Sequence, residues 1–158
     1  MIENICLNEV LLESAKEIFE TMIFMDLTEV TEPDKDIEGE TLLGSITFKG
    51  SLEGCLTICC STSCAQSIAR NMLGLDTDDE LTDEDTCDAI GEVSNMVMGS
   101  VKKRVSDSFK DIQVSIPSVI SGKELKNNLG DVAKKISTMV NIEDEYVAKL
   151  SLLYRENS

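Results

Sequence analysis

The chain has 158 residues, enough for one domain with its own core, and 30 acidic against 14 basic side chains give a net charge of −16. That surface repels phosphate backbones and argues against a nucleic-acid partner. No apolar run is long enough to span a bilayer, and the N-terminal MIENICLNEV lacks the basic segment of a secretory signal, so a cytoplasmic protein is expected. The sequence has no His, so the commonest general base and metal ligand is missing.

In chain order, residues 8–25 place apolar side chains at 11, 15, 18, 19, 22 and 23, a helical spacing. The acidic stretch TEPDKDIEGE, residues 31–40, is expected to be a loop. TLLGSITFKG and SLEGCLTICC read as two strands joined by a turn at Lys49–Gly50–Ser51. TSCAQSIARNMLG follows as a helix, with hydroxyl caps at Ser61–Ser63 and Gly74 to end it. An acidic linker then supplies the N-terminus of the longest helix, Asp83 to about Val105, where acids favour the positive end of the helix dipole.

DIQVSIPSVISGKEL alternates like a strand that is broken or bent at Pro117. Asn127–Gly130 is a turn signal, and VAKKISTMVNIEDE and EYVAKLSLLYRE close the chain as an antiparallel pair. Helix, two strands, helix, helix and three strands imply an α+β fold, with helices packed on one face of a largely antiparallel sheet. ESAKEIFETMIF (13–24) also lies over DAIGEVSNMVMG (88–99) without gaps, setting Glu17 on Glu92 and Glu20 on Asn95. A duplication and a chance match of two amphipathic helices both fit that alignment.

Six cysteines are present, four of them in CLTICCSTSC. The spacing C-x3-C-C-x3-C is not the paired C-x2-C of zinc modules, and on a strand Cys55 and Cys59 face away from Cys60. Buried structural thiols are the favoured reading, and a Cys-based metal or redox sensor is a rival.

The stretch GEVSNMVMGS, residues 91–100, carries the most specific signal. At ~100° per residue, Ile90, Val93, Val97 and Val101 form one apolar stripe. Asp88, Glu92, Asn95 and Gly99 form another almost opposite, and Lys102, Lys103 and Ser106 continue it. A merely solvated face would be filled with Glu, Lys, Gln or Ala. Asn95 and Gly99 are instead poor helix formers, and Gly99 leaves room for another chain one turn beyond Asn95. A carboxylate can pair with a partner's Lys, and a carboxamide can orient a water beside an electrophile. Neither is a complete active site, but together they could complete one supplied by a partner.

Asp88-x3-Glu92-x2-Asn95, with Pro117 about twenty residues on, resembles the signature of the CheC/CheX/FliY family of response-regulator phosphatases. A single strong motif in the later long helix is most similar to the CheX type. CheC-type members carry two motif helices, and Glu20 stands where the first helix would need an Asn.

The resemblance implies a CheC/CheX-like fold over residues 1–158 as one domain. It also implies removal of phosphate from the phosphoaspartate of a phosphorylated CheY-like receiver in two-component signalling. Asn95 would orient the attacking water and Glu92 would pair with a receiver Lys. Gly99, Met96 and Lys103 would meet the partner, and Asp88 would serve as a helix cap or a peripheral contact. Mg²⁺ is expected on the receiver, with no cofactor or metal on this chain. A homodimer joined through the sheets, no nucleic acid and no membrane complete the implied picture. The rival of the same fold is a non-catalytic module that docks on a receiver or another chemotaxis protein.

Overall fold

A computed structural model describes residues 6–31, 37–121 and 133–157. The turn expected at Asn127–Gly130 lies outside the described residues. The elements are α1 (Leu7–Ile18), a π-helical turn (Phe19–Ile23), β1 (Leu27–Glu29), β2 (Thr41–Lys49), β3 (Leu52–Ser61), α2 (Thr62–Leu73), α3 (Asp83–Arg104), β4 (Gln113–Val114), β5 (Ser118–Ser121), β6 (Lys134–Ile142) and β7 (Tyr146–Glu156).

The strands form one antiparallel sheet in the order β1-β6-β7-β3-β2-β4, with β5 also paired to β2. Leu42, Ile46 and Phe48 on β2, Leu56, Ile58 and Cys60 on β3, and Ala148, Leu150 and Leu152 on β7 share a core with all three helices. Period-2 alternation puts them on one face of the sheet. The residues between them point the other way, where Ile37, Leu43, Cys59, Met139 and Val147 form a smaller cluster.

The expected α+β architecture is present, with two differences. The first helix does not run to residue 25. Its α-helical part ends at Ile18, and a π turn carries it to Phe24, which closes it at φ 62° in the left-handed region. A strand that the pattern does not reveal, β1, pairs with the end of β6, Leu27 opposite Ile142. The break expected at Pro117 is present: the third-from-last strand is two pieces, β4 and β5, on either side of it, as its missing N–H requires.

Read from either edge, the sheet is the same. The halves α1-β1-β2-β3 and α3-(β4/β5)-β6-β7 each hold a helix, an edge strand and a hairpin, and each edge strand pairs with the other half's hairpin. β3 and β7 meet at the centre, from Leu52 opposite Glu156 to Cys60 opposite Ala148. This pseudo-twofold arrangement gives the alignment of residues 13–24 with 88–99 a structural counterpart, and α1 and α3 lie against each other on the same face.

α3 is seated directly on the sheet. At Gly44 of β2 a Cβ would meet Ser94 Oγ at 2.5 Å and Ile90 Cγ2 at 2.8 Å, so only glycine lets the helix come this close. Arg104 at the end of α3 bridges Glu13 (3.2 Å) and Glu17 (2.7 Å) of α1.

Candidate functional site

Four features fix α3 as a rigid platform. Thr82 accepts from the Asp85 N–H (3.0 Å) while Asp85 reaches back to the Thr82 N–H (3.4 Å), a capping box. Asp83, Glu84 and Asp85 occupy the first turn and Lys102, Lys103 and Arg104 the last, both signs complementing the helix dipole. Ile90, Val93, Val97 and Val101 are buried, as their spacing requires. Ser94 is buried too, and its hydroxyl donates to the Ile90 carbonyl at 2.8 Å.

The buried arc is therefore wider than the valine stripe, because Ala89, Gly91, Met98 and Ser100 join it. Beyond the first turn, and apart from Arg104, which turns to α1, the exposed part of α3 is the narrow band of Asp88, Glu92, Asn95, Gly99, Lys102 and Lys103. A Cβ at Gly99 would meet nothing within 4 Å, so the space above it is open. Met96 is half-buried against the core at the rim of the band. Asp88 lies in the second turn, and capping is done by Thr82 and Asp85; its place is compatible with a peripheral contact and not with a cap.

One side of the band has a wall. The Cβ position of Gly91 looks onto Pro117 Cγ at 3.7 Å and Val119 Cγ2 at 3.7 Å, so the β4–β5 corner packs against α3. Pro117 therefore turns the strand where the chain must lie along the helix that carries Glu92 and Asn95. Its neighbour Ile116, which the motif does not single out, is 89% exposed. The available signal was an apolar residue directly before the proline that interrupts a strand.

The equivalent face of α1 is arranged differently. Glu17, the counterpart of Glu92, is engaged by Arg104, and Glu20, the counterpart of Asn95, sits in the π turn. The structure thus brings one Glu/Asn pair to an open helix face.

The cysteines divide as strand geometry predicts. Cys60 and Cys64 lie in the core and Cys59 in the smaller cluster on the opposite face. The hydrogen bond with Cys64, followed by burial, pushes the Cys60 thiol well above its ordinary value, and burial pushes Cys55 up. Raised values keep these thiols protonated, which is unfavourable for metal ligation or nucleophilic reactivity. Among the described residues, no group of three or more His, Cys, Asp or Glu side chains could hold a metal ion.

The family model for the chemotaxis phosphatase CheX matches residues 42–147, a span that runs from β2 through α3 into β7. The chain belongs to the CheX family. The CheY-P phosphatase CheX of Thermotoga maritima is 30% identical over 112 residues, 71% of this chain and 72% of that protein. Among solved structures, the chemotaxis protein CheX of Vibrio vulnificus superposes with a TM-score of 0.76 at 23% identity, covering 93% of this chain and 95% of that one. CheX in the CheX–CheY–BeF3–Mg²⁺ complex of Borrelia burgdorferi gives a TM-score of 0.68 at 21% identity, covering 96% and 99%. The fold resemblance drawn from the motif is correct, and no helix among the described residues is long and apolar enough to cross a membrane.

Proposed function

We propose that this chain dephosphorylates the phosphoaspartate of a CheY-like response regulator, using the exposed band of α3. The observation that carries the reading is that Glu92, Asn95 and Gly99 share one open face of a capped, tightly seated helix. Membership of the CheX family supports it, as does the relative from Borrelia burgdorferi in complex with CheY.

In this mechanism the receiver brings the phosphoryl group to α3. The Asn95 carboxamide holds a water in line with phosphorus, accepting a hydrogen bond from it and donating to a phosphoryl oxygen. The water oxygen bonds to phosphorus as the bond to the aspartyl oxygen breaks, releasing inorganic phosphate and a free carboxylate. Glu92 pairs with a receiver Lys and fixes the docking. Gly99 admits the receiver backbone, and Met96, Asp88 and Lys103 border the contact. Mg²⁺ held by the receiver neutralises phosphoryl charge.

No group on this chain needs to change protonation, so the absence of His is no obstacle. Positioning alone is a large contribution in such reactions. The implied homodimer belongs to the same proposal. The helix-free face of the sheet presents a row of small hydroxyl side chains, Ser118–Ser45–Thr57–Ser151–Ser137, in register across five strands. A single domain over residues 1–158 in the cytoplasm is the setting proposed for it.

The test is phosphate release from phosphorylated receivers with and without this protein. Wild type should accelerate it. Asn95→Ala and Glu92→Ala should each remove roughly 10²-fold or more of that rate, with thermal stability unchanged because both side chains are exposed. If wild type binds a phosphorylated receiver but does not speed hydrolysis, the non-catalytic docking module replaces the phosphatase.

A further inference from the structure

Ile116 combines exposure with a rigid support. It is 89% exposed, more than Phe24, Leu73, Met22 or Ile120, the other large apolar side chains that face solvent among the described residues. Isolated exposed apolar residues are ordinary when they sit on mobile or featureless surface. Ile116 sits on neither.

On its N-terminal side Ser115 is held to β2 three ways. Its N–H donates to the Thr47 carbonyl at 2.9 Å, and its hydroxyl joins the Thr47 N–H at 3.0 Å and the Thr47 hydroxyl at 2.8 Å. On its C-terminal side Pro117 packs on Gly91 of α3, and the Ser118 hydroxyl bonds the Ser45 hydroxyl at 3.1 Å. The proline also restricts Ile116 itself to extended backbone, and its branched Cβ limits χ1. The side chain is thus presented on a corner fixed at both ends, and little freedom remains to be lost when it is covered.

The corner also has a defined place. Gly91, which touches Pro117, lies three residues after Asp88 and one turn before Asn95, so the corner runs along the Asp88/Asn95 side of the band. Positions one turn apart are about 6 Å from each other, which puts Pro117 within roughly 10 Å of Asn95.

We propose that Ile116 is an apolar contact for the phosphorylated receiver, seated on the receiver surface beside the phosphoaspartate while Glu92 and Asn95 engage the polar centre. This inference rests on the receiver reading above. Continuity of the corner with that band selects the occupant: a protein that places its phosphoryl group at Asn95 must also cover the neighbouring wall. The polar contacts set chemistry and orientation, and Ile116 contributes affinity at the rim of a site otherwise made of charges and an amide.

The experiment uses the full chain and the CheY-type receivers of the same genome. One arm measures the Kd for the beryllofluoride–Mg²⁺ form of the receiver, and the other measures steady-state dephosphorylation. Ile116→Ala should raise Kd and KM about tenfold while kcat stays within twofold. Ile116→Asp should raise both further, and Ile120→Ala, on the opposite face of the sheet, should change neither. Thermal denaturation should be unaltered, since the side chain touches solvent rather than core. Unchanged Kd and KM in Ile116→Ala overturn the proposal, and so does a fall in kcat with KM unmoved. If wild type binds but does not hydrolyse, only the phosphatase reading fails and the Kd comparison still decides Ile116. If wild type binds no receiver in either arm, both readings are overturned.

Discussion

Replacing Gly44 with alanine tests the seating of α3 on the sheet. The added methyl carbon would lie 2.5 Å from Ser94 Oγ and 2.8 Å from Ile90 Cγ2, against an ordinary carbon–carbon separation of about 3.5–4.0 Å. Neither neighbour is the loose end of a flexible side chain. Ser94 Oγ is bound to the Ile90 carbonyl, and Ile90 is fully buried. The helix must therefore lift by about 1 Å. Overpacking of this kind costs about 1–3 kcal/mol, and loss of a glycine from a strand returns about 0.5–1 kcal/mol. A net destabilisation of roughly 0.5–2 kcal/mol is expected, read by urea denaturation as a lower midpoint at unchanged slope. Adding Ser94→Ala removes the nearer contact but not Ile90, so the double variant should recover part of the loss. Because Glu92 and Asn95 ride on the same helix, phosphatase turnover well below the melting temperature should stay within about threefold. Full wild-type stability in Gly44→Ala would refute the close-packing argument. A turnover loss as deep as that of Asn95→Ala, in a folded variant, would refute the claim that the band moves as one body.

Gly99 separates stability from function in the other direction. Gly99→Ala should stabilise the protein by about 0.5–1 kcal/mol through helix propensity, since the space around its Cβ is open. Gly99→Trp should leave a folded protein that fails to dock or dephosphorylate, seen in the same denaturation and phosphate-release assays. A pH effect is expected at the β2–β3 turn. Hydrogen bonds from the Ser51 hydroxyl and backbone N–H hold the Asp111 carboxyl below the usual carboxylate range. A depressed folded-state value means the stabilisation is present above the unfolded carboxylate value and is lost as pH falls through the folded one. Asp111→Asn should therefore flatten the acid side of the stability–pH curve measured by thermal melts.

The functional helix was legible because it is long, and its two stripes are separated by chemistry as well as by angle. Valines at 93, 97 and 101 could face only the core, which left Glu92, Asn95 and Gly99 outside. The width of the buried arc was not legible, since Ser94, Ser100 and Gly91 carry no hydrophobic signal and are buried only because the sheet and the β4–β5 corner reach them. The π turn escaped for a different reason. FETMI keeps the apolar spacing of an α-helix, and a widened turn leaves no trace in such a pattern. β1 offers a single buried side chain, Leu27, in three residues, and its strand identity is conferred by β6. The β6–β7 turn falls where the two alternating segments meet, but its conformation was hidden, because Glu143 and Asp144 supply consecutive positive φ values (56° and 53°) where glycine or asparagine is usual. The proline break, by contrast, could be placed to the residue, because a missing N–H is a property of the sequence itself.

The order of synthesis and the order of strands in space are at odds in this sheet. β7, the last strand in chain order, is a central one, bonded along its length to β6 and to β3. The β2–β3 hairpin and its helices can assemble as they leave the ribosome, yet β3 keeps an open, apolar edge until the distant β7 segment has been made. Long loop closure of this kind slows folding and prolongs the exposure of an edge to other chains. Folding yield should accordingly be set by how quickly the segment around Leu150 and Leu152 finds Leu56 and Ile58, a race decided far from the helix face that meets the partner.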